Sequence, residues 1–165
     1  MVIERLLRLA GRLRFEASEP SLVLTGVLDK EGLPRNVSWK DAEETTEADG
    51  VYYRFAIDLF NGKEVPTGLR DVLVVFVHHG GRREPSPPYD SKTGRQVSGR
   101  LVADELEVIN VSPRQFVRTE LHGYFGKEEA DAIKTGRWKR MVFETKRPKR
   151  PLLWRKTYRK IIIEP

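Results

Sequence analysis

The sequence contains no cysteine among its 165 residues. Disulfide bonds, thiolate nucleophiles, iron–sulfur clusters and cysteine-based zinc sites are therefore excluded. Only three histidines are present, and two of them, His78 and His79, are adjacent. In a strand, neighbouring side chains point to opposite faces, so these two imidazoles are poorly placed to share one ion. We therefore expect no metal and no cofactor, with the histidines at loop edges or on the surface.

Long apolar runs are also lacking. The longest is Val72–Val77, far below the roughly eighteen residues that a membrane-spanning helix needs. Arginines are scattered through the apolar N-terminal stretch instead of preceding it, which is unlike a cleavable signal peptide. We therefore expect a cytoplasmic protein, with peripheral attachment at the inner membrane face as the alternative.

The motifs of common catalytic sites are missing as well. The Gly-Lys pair at 126–127 follows too short a loop for phosphate binding, and Glu128 stands where a P-loop has Ser or Thr. The segment 96–99 lacks the first glycine of a nucleophile elbow. Neighbouring acids at 43–44 and 104–107 leave one enzyme alternative, a hydrolase or lyase with two carboxylates about 5–9 Å apart. We expect no enzymatic activity and assign no catalytic residue.

Alternation of apolar and polar residues dominates the chain from residue 21 onward. It is clearest at 51–60, where the odd-numbered apolar side chains share one face. One short helix is expected near 127–135, with acids in its first turn and a glycine just after it. No strand–helix–strand alternation occurs, so we predict a mainly β, antiparallel two-sheet sandwich. Residues 15–165 are expected to form a single domain, in which 80–99 is a long loop.

One segment resembles a known kind of module. Over residues 57–76, an apolar strand ends at Asn61-Gly62, a turn containing Pro66 follows, and a second apolar strand runs back. This unit is similar to one found in bacterial immunoglobulin-like sandwich modules. The resemblance implies an immunoglobulin-like topology and implies no activity, because such modules serve many roles.

The N-terminal segment 1–14 carries apolar residues at helical spacing, with four arginines elsewhere on the wheel. We predict an amphipathic helix of about three turns. It would pack on the domain, pair two copies of the chain as a homo-oligomer, or lie on an anionic membrane.

The C-terminal third is strongly basic. Residues 137–160 hold eleven cations and one Glu, so we list as candidate anion-binding residues Arg137, Lys139, Arg140, Lys146, Arg147, Lys149, Arg150, Arg155, Lys156, Arg159 and Lys160. Interleaved apolar residues are candidates for base stacking or membrane contact: Trp138, Leu153, Trp154 and Tyr158. The alternative is a solvated sheet edge on which lysines prevent aggregation.

Together these features favour a non-catalytic β-sandwich interaction module whose partner is a protein. The rival interpretation is a binder of anionic surfaces, either single-stranded nucleic acid or acidic membrane, through the basic C-terminal third.

Overall fold

The alternating segments form strands of two antiparallel sheets. The computed structural model describes residues 13–28, 31–43, 47–98, 100–146 and 157–165. Its thirteen strands in these ranges are β1 (Leu13–Ala17), β2 (Ser21–Leu28), β3 (Pro34–Ser38), β4 (Gly50–Asn61), β5 (Thr67–His78), β6 (Arg83–Ser86), β7 (Tyr89–Asp90), β8 (Arg95–Val97), β9 (Arg100–Val102), β10 (Val108–Val111), β11 (Phe116–Phe125), β12 (Trp138–Lys146) and β13 (Thr157–Ile163). One α-helix, α1 (Lys127–Lys134), joins β11 to β12.

The first sheet has the order β3–β2–β4–β11–β7. Two strands pair with the same edge of the long strand β4: β2 pairs with its first half and β1 with its second half. The second sheet has the order β10–β5–β12–β13, and β6 pairs with the second half of β5 beyond β10. A small separate hairpin joins β8 to β9. This arrangement confirms the predicted antiparallel two-sheet architecture.

The core lies between the two sheets. Leu22, Tyr53 and Leu121 face inward from the first sheet, while Phe76 and Phe143 face them from the second, each at most 2 % exposed. Side chains from both sheets thus pack against each other in one buried layer, as the alternation at 51–60 predicts.

The crossover between the sheets is organised by Asn61, whose side chain is fully buried. Its Nδ2 group donates hydrogen bonds to the carbonyl oxygens of Val65, Val111 and Ser112 at 2.9, 3.0 and 3.2 Å. Its Oδ1 atom accepts one from the backbone N–H of Lys63 at 3.2 Å. The strand–Asn-Gly–Pro–strand unit therefore carries the chain from the first sheet to the second, as its resemblance to immunoglobulin-like modules implies.

Helix α1 agrees with the prediction near 127–135, but the predicted N-terminal helix does not extend to residue 14. Leu13–Ala17 is a strand, because Phe15 and its neighbours pair with β4 and pack against Tyr158 and Phe143. Residues 1–12, the rest of that prediction, lie outside the described residues. In the part of the chain that the structure describes, no helix has the length and apolar character needed to cross a bilayer.

One predicted element is wrong in detail. The expected loop at 80–99 holds the strands β6, β7 and β8. Short strands rich in Gly, Pro and charge carry a weak period-two signal, so such segments are easily taken for loops.

Strict alternation is also interrupted by β-bulges. One extra residue in β5 is Asp71, which has a left-handed φ of 52°, and another in β12 is Lys139. Each bulge reverses which side chains face outward beyond it. This changes the composition of the outer face of the second sheet, where the candidate site lies.

Candidate binding groove on the second sheet

The outer face of the second sheet contains a groove of about 500 Å³. Its floor is aliphatic and formed by Val77, Val142 and Ile161, continuous with the packed side chain of Val75. Its rim is charged, with Arg83, Lys139, Arg140, Arg159 and Glu144. An apolar floor ringed by polar groups is the usual form of a binding surface.

The bulge in β12 explains why two neighbouring cations share this groove. Trp138 is aligned with His78 and Arg140 with Val77, so Lys139 is the extra residue in β12. A bulge lets two successive side chains lie on the same side of a sheet. Lys139 and Arg140 therefore both line the groove, while Trp138 turns into the core.

Glu144 lies at the far end of the groove from this bulge, and its side chain is only 12 % exposed. It forms an ion pair with Arg83, and its Oε1 atom accepts from Nε of Arg159 at 2.7 Å. Two arginines thus neutralise one carboxylate, which is how a largely buried charge is normally accommodated.

The Arg83–Glu144 pair spans the valine floor. Arg83 is aligned with Val77, whereas Glu144 is aligned with Leu73, four residues away along β5. The aliphatic stem of Arg83 must therefore pass over the outer valines to reach the carboxylate. This explains why Val75 and Val142 are nearly buried although they face away from the core, because long cationic side chains cover apolar surface with their stems.

Arg140 differs from the other two arginines. Its Nε atom is buried, and among the described residues no hydrogen-bond acceptor lies within reach of it. Four cations and one carboxylate give the groove a formal charge of +3. The bulge end, with Lys139 and Arg140, carries two cations and no lining carboxylate from the described residues.

The groove lies within the range that matches a known family. A family model described as the YopI Ig-like domain matches residues 35–162, which is most of the chain. The chain belongs to the YopI Ig-like domain family. No curated protein and no solved structure matches it. This match agrees with the immunoglobulin-like resemblance of residues 57–76 and extends it over most of the chain.

The structure brings three of the predicted anion-binding residues together: Lys139, Arg140 and Arg159 line the groove. Three others lie elsewhere. Lys146 is 3.6 Å from the carboxylate of Asp71, and Arg137 and Lys160 are exposed outside the groove lining. The remaining candidates lie outside the described residues, and so do two of the apolar ones: Arg147, Lys149, Arg150, Leu153, Trp154, Arg155 and Lys156.

The other two predicted contact residues are corrected by the structure. Trp138 is 1 % exposed and stacks on Phe76 with ring centroids 5.7 Å apart. Tyr158 is half-buried and packs on Phe15, with centroids 5.4 Å apart. A ring enclosed in the core cannot stack on a base, so Trp138 is a structural residue. Tyr158 likewise turns its ring toward the sandwich interior, while Arg159 and Ile161 face the groove.

Arg83, Glu144 and the apolar floor were not identified from local sequence patterns. The available signal was the run Val72–Val77, which is apolar on both faces and therefore requires a cover on the outer face as well. That cover is supplied by Arg83, from the segment that was expected to be a loop. Nothing in local spacing identifies Arg83 as its source.

The histidines each contact a different group in the described residues. Nε2 of His78 lies 3.3 Å from Oε1 of Glu129, and its side chain is 13 % exposed, so it is not the surface imidazole that was expected. Nε2 of His79 lies 3.1 Å from the carbonyl oxygen of Gly136. Within the described ranges no three metal-ligating side chains converge.

The carboxylates near the groove do not form the pair that the hydrolase alternative requires. Glu144 is the one described acid among the lining residues, and its carboxylate contacts Arg83 and Arg159. Asp104, from one of the acidic stretches, instead pairs with Arg95 at 3.0 Å on the small β8–β9 hairpin.

The outer face of the first sheet carries a separate aromatic row. The ring of His122 lies between Tyr52 and Tyr89, with centroids 5.9 and 5.8 Å away, and its Nδ1 atom is 2.9 Å from Oγ of Ser91. Partial burial, and secondarily the charge of Arg54, lowers the pKa of His122. The row therefore holds a neutral imidazole near neutral pH.

Proposed function

We propose that the protein is a non-catalytic interaction module that binds a protein partner in the groove of the second sheet. The partner's contact segment is aliphatic at its centre and acidic at its ends. The observation that carries this proposal is the ring of cations, with a net charge of +3, around a valine and isoleucine floor. Charge complementarity of this kind selects the partner and speeds encounter, while the apolar floor supplies affinity.

The dimensions of the groove fit such a segment. The Lys139–Arg140 end and Arg159 are separated by about four residues of β12, or roughly 13 Å. An extended stretch of three aliphatic residues, roughly 10 Å long, would cover the floor and place acidic residues at both cationic ends. Membership of the YopI Ig-like domain family supports the non-catalytic part of the proposal.

Nucleic acid and lipid are less well matched to the same surface. Single-stranded nucleic acid requires exposed rings beside the cations, but Trp138 and Tyr158 are turned inward. Neither the phosphates of a nucleic acid nor the headgroups of a lipid would gain affinity from an aliphatic floor surrounded by arginines. We therefore favour an acidic protein segment over both.

The test is binding of a fluorescent peptide with three central Val/Leu residues flanked on each side by two Glu. Its matched control has Lys in place of Glu. We expect binding of the acidic peptide only, weakening as salt rises from about 50 to 300 mM, because exposed charges are screened. Ile161→Asp, at a position 44 % exposed in the floor, should weaken binding at least tenfold.

The matched control variant is Phe116→Asp, which places the same charge at a 60 % exposed position on the first sheet. It should bind the peptide like the wild type. The proposal fails if neither peptide binds, if both variants lose binding equally, or if a single-stranded oligonucleotide or acidic vesicle binds and the peptide does not.

A further inference from the structure

We infer that Arg140 is the specificity-determining residue of the groove and binds a carboxylate of the partner segment directly. This inference rests on the proposed function. It pairs one acidic end of the partner segment with Arg140 at the bulge end of the groove. At the opposite end, the partner's second acidic end competes with the domain's own Glu144 for Arg83 and Arg159.

The distribution of internal ion pairs carries the inference. Arg83 and Arg159 both contact Glu144, so the far end of the groove already contains a carboxylate. Arg140 is aligned with Val77, two positions along β12 from Val142 and four from Glu144. Within the described chain Arg140 has no ion pair, and its Nε atom is buried without an acceptor. Because Nε is enclosed, a carboxylate in the groove would meet this guanidinium through its terminal Nη donors.

The chemistry of the side chain identifies the ligand group. A guanidinium presents its two terminal Nη donors in a planar fork that matches the two oxygens of a carboxylate. The enclosed Nε atom limits the rotamers of Arg140 before the ligand arrives, so less entropy is lost on binding. The extra residue Lys139, placed beside it by the bulge, adds a second positive charge without an acid among the lining residues at this end.

The acidic peptide defined above gives a direct test by double-mutant cycle. Arg140→Gln should weaken its binding at least tenfold. Arg140→Lys should recover little, because an ammonium does not reproduce the fork. Replacing the Glu pair at one end of the peptide by Gln should weaken binding to the wild type, and should have little further effect on Arg140→Gln. Arg137→Gln, an exposed cation outside the groove lining, is the matched control and should bind normally.

The outcomes separate this inference from the proposed function. The inference alone is overturned if Ile161→Asp loses peptide binding while Arg140→Gln binds normally. It is also overturned if Ile161→Asp loses binding and Arg140→Gln shows no coupling to the peptide carboxylates. Absence of peptide binding to the wild type overturns both. If Arg140→Gln does not fold, as judged by its thermal transition, the double-mutant cycle is completed with Arg140→Lys and the Glu→Gln peptides. Coupling between Arg140→Lys and the peptide carboxylates then supports the inference, and its absence overturns it.

Discussion

The Nδ2 group of Asn61 donates a hydrogen bond to the carbonyl oxygen of Val111 at 3.0 Å. Asn61 ends β4 in the first sheet, and Val111 ends β10 in the second sheet. One buried amide therefore joins the two layers at the point where the chain crosses between them. The same amide also satisfies carbonyl groups of the crossover turn and of Ser112.

We predict that Asn61→Leu destabilises the domain by about 2–4 kcal/mol, because buried carbonyl groups lose their donor. Asn61→Asp should cost at least as much at pH 7, since it directs a carboxylate at those same carbonyl oxygens. Such a carboxylate is harder to ionise in the folded state, so the folded state binds the extra proton and Asn61→Asp regains stability as pH falls. Urea denaturation at pH 7 and pH 5 measures both effects. Equal stability of the wild type and Asn61→Leu would contradict the assigned role.

Gly123 is aligned with Tyr53 across β11 and β4, and the tyrosine ring occupies the space above the glycine. A Cβ atom at position 123 would overlap the hydroxyl and the ring of Tyr53. We predict that Gly123→Ala destabilises the domain by about 1–3 kcal/mol through overpacking. Thermal unfolding measures the change. Gly80→Ala, where an added Cβ meets no atom within 4 Å, is the control and should have little effect.

The Arg83–Glu144 pair gives a third prediction, because the stem of Arg83 covers the valine floor. Arg83→Ala should destabilise the domain by about 1 kcal/mol, mainly by exposing apolar surface. Glu144→Gln should cost no more than this, since both arginines remain accessible to water. It should also strengthen binding of the acidic peptide severalfold, because Arg83 and Arg159 are released to bind the peptide's second acidic end.

Chemical denaturation measures the stability changes, and peptide titration measures the change in affinity. Both are applied to Arg83→Ala, Glu144→Gln and the double variant. The double-mutant coupling should lie between about 0.5 and 1 kcal/mol, as expected for a partly buried pair. Weaker peptide binding by Glu144→Gln would show that the carboxylate does not compete with the ligand.

The sequence predicts the fold better than the site. The alternation at 51–60 and the crossover at Asn61 identify two stacked antiparallel sheets, because period-two patterns report directly on burial. The site depends on bulges at Asp71 and Lys139, which move neighbouring side chains to one face without altering local composition. Arg159 was identified by charge density alone, whereas Arg83 reaches the groove through a short strand with no periodic signal. Tertiary pairing, not local pattern, assembles the groove.

The last prediction concerns pH and the first sheet. Burial between Tyr52 and Tyr89, aided by the charge of Arg54, holds the pKa of His122 below its ordinary value of about 6.5, although Asp90 opposes this. The unfolded chain therefore takes up a proton near pH 6.5 that the folded domain does not. Stability should fall as pH is lowered through about 6.5 toward the folded pKa. Urea denaturation at pH 7.5 and 5.5 should show a smaller loss for His122→Gln than for the wild type, while His79→Gln, at an exposed position, should behave like the wild type. A ring-proton NMR titration of His122 with a midpoint at or above 6.5, or the same pH-dependent loss in His122→Gln, would contradict this account.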